Sequence, residues 1–237
     1  MSQWTGPWPA RLHHLRYDSK QPEAMVTFYR DCLGMEPREL GDGLWLMAGG
    51  EHRLLIGGGE TELAFSAFAL ENTGSLDDFR DQVRAGGLNL APSPTPLFAE
   101  DAFMVHDPDG RGVVFGVAAE PAEVLSRVDR LAGRLQHVVV ASTRIGPMTA
   151  FYADALGFVV SDRVLDEGGE VTACFLRSDP EHHSFAVFRA PESRPDHHAY
   201  EARDWNDIRD WADHFAALEV PIFWGPGRHG PGNNLIG

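Results

Sequence analysis

Two stretches of the chain read alike at a fixed spacing. Arg11 to Gly34 is RLHHLRYDSKQPEAMVTFYRDCLG, and Arg134 to Gly157 is RLQHVVVASTRIGPMTAFYADALG. Shifted by 123 positions (134 − 11), the first falls on the second without a gap. Arg11 meets Arg134, Leu12 meets Leu135, His14 meets His137, Phe28-Tyr29 meets Phe151-Tyr152, Asp31 meets Asp154 and Leu33-Gly34 meets Leu156-Gly157. A match of this kind marks an internal repeat, and it constrains the fold more than any local propensity, because one architecture must satisfy both copies. A chain of 237 residues has room for two domains of roughly 115 residues each.

Each copy opens with a strand and an amphipathic helix. In the second, the apolar run Leu135–Ala141 holds β-branched Val138, Val139 and Val140 around a single ionisable side chain, His137; this is the composition of a buried strand. In the first, Pro22 suits an opening helical turn and Gly34 a helix stop. Hairpin signals follow: 44–48 and 52–56 around Gly49-Gly50, and 103–105 and 113–117 around Asp107-Pro108-Asp109-Gly110. Between them lie an alternating strand, 63–70, and a helix that Ser75 would cap, ending near Ala85. The second copy repeats this order, with strands near 159–164, 171–176, 184–189 and 198–202 and a second helix at 206–218. Over its later part the spacing becomes 132 (211 − 79): Phe79 meets Trp211, Val83 meets Phe215, Ser66 meets His198 and Phe68 meets Tyr200. The order of elements predicts an α+β fold of two tandem βαβββ modules, each a cupped mixed sheet with helices on the outer face. The modules span 1–117 and 134–237, with 118–133 as a linker carrying a short helix. The tryptophans of the Pro-rich arm 1–10 are expected to pin it to the body.

Charge and composition remove several functions. The formal net charge of −15 argues against nucleic acid and anionic membrane as partners, since either needs a basic patch. The apolar runs are of strand length, so no membrane span is expected. No basic segment followed by an apolar one opens the chain, so a cytoplasmic protein is expected. Cys32 and Cys174 fall in different copies and read as two buried thiols rather than a disulfide.

Histidine is concentrated in the second copy: His137, His182, His183, His197, His198, His214 and His229. A polar ring inside the run around His137 must find a partner, since leaving it unsatisfied costs about 1–3 kcal/mol. A backbone carbonyl or a metal ion would serve. On a strand, adjacent side chains face opposite ways, so only one member of His182-His183 and one of His197-His198 can face the cup. His198 shares its face with Tyr200. Neutral imidazoles on neighbouring strands suit Fe, Zn, Ni or Mn, and two of them with one carboxylate form the facial triad of non-haem Fe(II) oxygenases. His183, beside the turn 178–181, is a candidate general acid or base. His229 lies in the loop WGPGRHGPG, and loops on rigid scaffolds often carry function.

These motifs together resemble a known family. LQHVVV, FYADALGF, DHHAYEA, WGPGRHGPGNN and the DPDGRGVVF of the first copy look like the vicinal oxygen chelate superfamily, built from paired βαβββ modules. The likeness is strongest to its type I extradiol ring-cleaving dioxygenases and covers nearly the whole chain. It implies an oxidoreductase of aromatic catabolism that opens a catechol with O2 at Fe(II), with Mn(II) as the alternative. It implies His137 and His198 as metal ligands, His183 as the acid/base, His229 as a loop residue near the substrate, and Phe175 against the substrate ring. Tyr200, Trp224 and Asn233 complete the expected substrate contacts. The partners implied are a small aromatic diol, O2 and further copies of the chain. The family's third ligand is a glutamate shortly after a DPDG-like turn. The first copy has Val114 there, so its module is expected to bind no metal. The corresponding position in the second copy is 246 (114 + 132), past Gly237, so the strand beginning near Asn233 is expected to be cut short. The rivals are a glyoxalase-like lyase or isomerase with Zn or Ni, and a metal-free binding protein of the drug-sequestering kind.

Overall fold

In the computed structural model, residues 6–49, 52–119, 133–225, 227–228 and 235–236 are described. The linker helix expected within 118–133 thus falls mostly outside them, as do Trp4, His229 and Asn233.

The first copy runs β1 (Ala10–Ser19), α1 (Pro22–Leu33), β2 (Glu36–Gly41), β3 (Leu44–Gly49), β4 (His52–Gly58), β5 (Glu62–Leu70), α2 (Thr73–Ala85), β6 (Ala91–Pro92), β7 (Phe103–His106) and β8 (Gly112–Val117). Its eight strands form one sheet in the order β2-β3-β4-β1-β5-β8-β7-β6. The second runs β9 (Arg134–Ser142), α3 (Ile145–Ala150), a π-helical turn (Phe151–Ala155), β10 (Val159–Leu165), β11 (Val171–Arg177), β12 (Phe185–Arg189), β13 (Arg194–Glu201), α4 (Trp205–Ala217), β14 (Gly227–Arg228) and β15 (Leu235–Ile236). Its main sheet has the order β10-β11-β12-β9-β13. This is the α+β arrangement expected of tandem modules. Within the first copy the order strand, helix, three strands occurs twice, once from β1 and once from β5. β2, not expected from the sequence, completes the first of these by pairing antiparallel with β3.

The repeat is close at the helices. α1 and α3 begin 123 positions apart (145 − 22); α1 ends at Gly34 (φ 65°), whereas α3 passes into the π-helical turn before the chain reaches the matching Gly157 (φ 76°). At each, the glycine N–H bonds the carbonyl four residues back, Arg30 or Ala153; glycine occupies this conformation without a Cβ penalty. Phe28 is half exposed, whereas its counterpart Phe151 is buried. α2 is capped by Asn72, whose Oδ1 accepts from the Ser75 N–H, rather than by Ser75. Asn72 has the extended backbone a cap needs, and Ser75 is already helical. Asp204 caps α4 in the same way, 132 positions on (204 − 72), accepting from Asn206 and Asp207.

The chain divides into two compact units. One comprises Met1–Leu15, Leu63–Ala122 and His137–His198. In it Phe68, Phe115 and Phe158 pack together, and Tyr152 stacks on Phe185 with ring centroids 3.8 Å apart; such a pair contributes about 0.5–1.5 kcal/mol beyond its buried area. The DPDG turn braces this unit: Asp107 Oδ1 accepts from the Asp109 and Arg111 N–H groups at 2.9 Å. Arg111 reaches the Ala141 carbonyl, and Arg144 pairs with Asp109. At the arm, the Trp8 ring lies under the Arg177 guanidinium, and Ala10 bonds Ser178 in both directions. The other unit comprises Arg16–Glu62, Glu123–Gln136 and Ala199–Gly237. It holds the Tyr17–Tyr29 core against α1, and His214 Nε2 lies 2.9 Å from the Cys32 carbonyl. Both cysteines are free; Cys174 is buried and Cys32 partly so.

Candidate metal centre

The site is built on one face of β9, β11 and β12. β12 runs parallel to β9 with Phe185 opposite Val138, and the Val138 N–H bonds the Ser184 carbonyl. That register sets His183, just before the strand, beside His137. Their rings lie 4.4 Å apart, tilted by 40°. Two residues along, on the same face as His137, Val139 packs with Ala173, Phe175 and Ala186, and Phe188 covers them. This apolar floor carries the histidines: the Phe175 ring meets His183 edge-on at 5.0 Å, and Phe188 lies 6.2 Å from His197.

His197 closes the group. Its Nε2 lies 3.4 Å from His137 Nε2, with the rings nearly perpendicular at 79°. That is longer than an ordinary hydrogen bond, about 2.7–3.2 Å. It is the spacing two neighbouring nitrogen ligands of one ion require, since bonds of about 2.1 Å at roughly 90–110° set them about 3.0–3.4 Å apart. The other nitrogen of His197, Nδ1, is 2.8 Å from Asp196 Oδ1. An ionised carboxylate only accepts, so Nδ1 donates, and a neutral His197 then carries its lone pair on Nε2. A carboxylate behind a ligating imidazole fixes the ring and raises its basicity.

The sequence put His198 beside His137; the ring found 3.4 Å from it, nitrogen to nitrogen, is that of His197. The phase of β13 turns His197 toward His137, so by strand alternation His198 and Tyr200 take the other face. Tyr200 lies close enough to Tyr29 and Tyr17 to couple with them, and burial, reinforced by those neighbours, pushes its hydroxyl well above its ordinary range. It is thereby separated from the histidine face. Phe175 and His183 lie together beside His137. Trp224 stands exposed in the coil after α4.

The first copy shows a corner of similar ring geometry. His14 is the counterpart of His137, and Phe65 that of His197 (65 + 132). The His14–Phe65 rings are 5.7 Å apart at 87°, against 5.4 Å and 79° for His137–His197. Position for position, a phenyl ring replaces the second imidazole, and Thr95 Oγ1 engages His14 Nε2 at 2.7 Å. The spacing of 132 that pairs the helix caps thus also carried the signal for His197. Asp196 and Phe188 were missed; the former lacked any signal beyond its place before His197.

Among the described residues no group of three or more His, Cys, Asp or Glu gathers at ligand spacing; His137 and His197 bring two imidazole nitrogens together. A separate cavity lined by Ile145, Thr149, Asp154, Arg163 and Val171 lies between α3 and strands β10 and β11, and none of the site histidines lines it. No described helix is long and apolar enough to cross a membrane.

The model of the Glyoxalase/Bleomycin resistance protein/Dioxygenase superfamily matches residues 11–115 and 134–236. The chain belongs to that superfamily. Among its relatives, metapyrocatechase 2 of Cupriavidus necator is 30% identical over 194 residues, covering 73% of this chain and 58% of its own. The chain thus spans less than two thirds of that relative's length. The 3-methylcatechol 2,3-dioxygenase of Pseudomonas putida is 26% identical over 239 residues, 92% of this chain and 81% of its own. The Mn(II)-bound glyoxalase from Novosphingobium aromaticivorans superposes with a TM-score of 0.75 at 27% identity, covering 94% and 77%. Homoprotocatechuate 2,3-dioxygenase from Arthrobacter globiformis reaches 0.80 at 22% identity, covering 98% and 76%, a likeness of fold.

Proposed function

We propose that the chain is an extradiol dioxygenase, cleaving a catechol-type ring with O2 at Fe(II) or Mn(II) held by His137 and His197. The observation that carries this reading is the pair of Nε2 atoms 3.4 Å apart, with Asp196 behind one imidazole and His183 against the other. His137 and His197 offer neutral lone pairs. His183, buried to 2% exposure, would give a proton to the reacting oxygen during ring opening and recover one from the next diol. Phe175 would offer an aromatic edge and Phe188 an apolar wall to the substrate ring. Bound metal supplies Lewis-acid and redox chemistry. The relatives' names, metapyrocatechase and 3-methylcatechol 2,3-dioxygenase, support a catechol as substrate, and the net charge of −15 suits a neutral diol. Trp224 and the loop residues His229 and Asn233 are proposed as further substrate contacts, and a homo-oligomer as the working form.

The second reading, a metal-dependent glyoxalase-type reaction, is favoured by the Mn(II)-bound glyoxalase neighbour. The test is anaerobic loading with Fe(II) or Mn(II), metal quantification, then O2 and a catechol, with formation of the yellow ring-opened product followed by absorbance. Bound metal with no ring-opened product from any catechol, but conversion of a hemithioacetal, would move the assignment to the second reading. Absence of bound metal would leave a binding protein.

A further inference from the structure

His183 is held by a neighbour that the proposed reaction does not use. The loop from Ser178 to Ser184 joins β11 to β12 and is tied down along its length. Ser178 Oγ donates to the Ala10 carbonyl at 2.6 Å and lies 2.9 Å from Ser184 Oγ; the Ser178 N–H bonds Ser184 Oγ, the Ser184 N–H bonds the Leu176 carbonyl, and the Glu181 N–H bonds Asp179 Oδ1. On this fixed backbone His182 and His183 turn their Nδ1 atoms toward each other at 3.0 Å, with ring planes at 89°. Phe175 confines both rings, at 5.9 Å from His182 and 5.0 Å from His183. His183 is buried and His182 is half buried.

Two neutral imidazoles in Nδ1–Nδ1 contact share one proton between those nitrogens: one donates and the other accepts. Each ring therefore dictates the tautomer of the other. We infer that His182 is a positioning residue that donates to His183 Nδ1, holding His183 as the Nε2–H tautomer and fixing its ring beside His137. This rests on the acid/base role of His183 proposed above. A ring held in one tautomer presents a proton at a known atom, whereas an unconstrained imidazole divides between two forms and turns about its side-chain bonds. Substitution should therefore lower kcat with little change in KM, because the lost contact matters when the proton moves rather than when the substrate binds. The loss is bounded by the roughly 10²–10⁴-fold that a positioned acid or base supplies.

The experiment uses histidine-labelled, metal-free protein and long-range ¹H–¹⁵N correlation, which separates protonated from unprotonated ring nitrogens without any turnover. Wild type is expected to show His183 as a single Nε2–H tautomer. His182→Leu should collapse this to a mixture, and His182→Asn, which keeps a donor near the same place, should restore it in part, with kcat following the same order in metal-loaded protein. Unchanged His183 ring signals in His182→Leu would overturn the inference, as would a single Nδ1–H form in wild type. If wild type cleaves no catechol while the tautomer still responds to position 182, the dioxygenase reading fails and the positioning contact stands. Because His182 is half buried and lies in a loop, a melting curve on each variant separates loss of tautomer from loss of fold.

Discussion

His197→Ala and His198→Ala form a pair of adjacent substitutions with opposite expected consequences for metal binding. His197 Nε2 is 3.4 Å from His137 Nε2, and its Nδ1 is fixed by Asp196 at 2.8 Å; His198 lies on the other face of β13. Loss of a carboxylate behind a ligating histidine typically costs about 10–100-fold in metal affinity. Removing the ligand itself must cost more, so His197→Ala is expected to weaken Mn(II) binding by over ~100-fold, or about 2.8 kcal/mol at 1.4 kcal/mol per tenfold. Asp196→Asn should fall in the window of about 10–100-fold. His198→Ala should stay within about threefold of wild type, since a half-buried ring that contacts no ion costs nothing at the site. Anaerobic titration against a competing chelator measures all three, with thermal melts to show that each variant is folded. Equal losses from the two histidine variants, or tight Mn(II) binding by His197→Ala, would refute the phase assigned to β13 and return the ligand role to His198.

His14→Ala should leave metal stoichiometry unchanged but destabilise the fold by about 0.5–1.5 kcal/mol for the lost hydrogen bond to Thr95 Oγ1, which still accepts from the Leu97 N–H; metal loss matching that of His137→Ala would contradict the inert first corner. Burial holds the Asp107 carboxyl above its ordinary range, against the opposing pull of Arg111. Its contribution to stability is therefore full below the unfolded carboxylate range, near about 3.9, and is lost as pH rises through the raised folded value. Melting of Asp107→Asn should accordingly improve relative to wild type as pH rises from about 3.9, and a difference that moves the other way would count against it. A Cβ at Gly116 would stand 2.5 Å from Phe98 Cδ2 and 2.7 Å from the Ala102 Cβ. Gly116→Ala should thus lose about 1–3 kcal/mol to overpacking, read as a fall of several degrees in Tm; an unchanged Tm would show that the Phe98 loop yields freely.

Much of the fold was legible because its signals are local and duplicated. Pro22 and Gly34 delimit α1, the glycines and DPDG delimit the hairpins, and the 123-residue spacing carries α1 onto α3 down to the matching glycine. Where local chemistry was shared between neighbours, the reading slipped. Asn72 and Ser75 are both good caps, and only the backbone decides that Asn72 is the extended residue. β2, EPRELG, lacks alternation and contains a proline, so nothing in its composition announces a strand; its pairing with β3 makes it one. The π-helical turn at Phe151–Ala155 has no signature either, since FYADALG and FYRDCLG differ little while only the former departs from α geometry.

The site divides along the same line. His137 stood out as the one ionisable side chain in an apolar strand, where a single orientation is compatible with burial, and His183 by its place beside the turn 178–181. A His-His dipeptide on a strand carries no such phase: moving the register by one exchanges which ring faces His137, and the mixed burial of β13 leaves both options open from composition alone. The choice is made by the far side of the strand. Tyr200 is a large ring that must bury its body, and it does so beside Tyr17 and Tyr29. With Tyr200 committed to that face, alternation sends His198 with it and leaves His197 for His137. The same packing logic holds at the corresponding corner of the first copy. Phe65 fills the space of an imidazole with a ring of similar size, so the His14–Phe65 contact preserves the packing of the corner within 0.3 Å (5.7 − 5.4) of the His137–His197 centroid distance, and only the nitrogen that could bind an ion is gone.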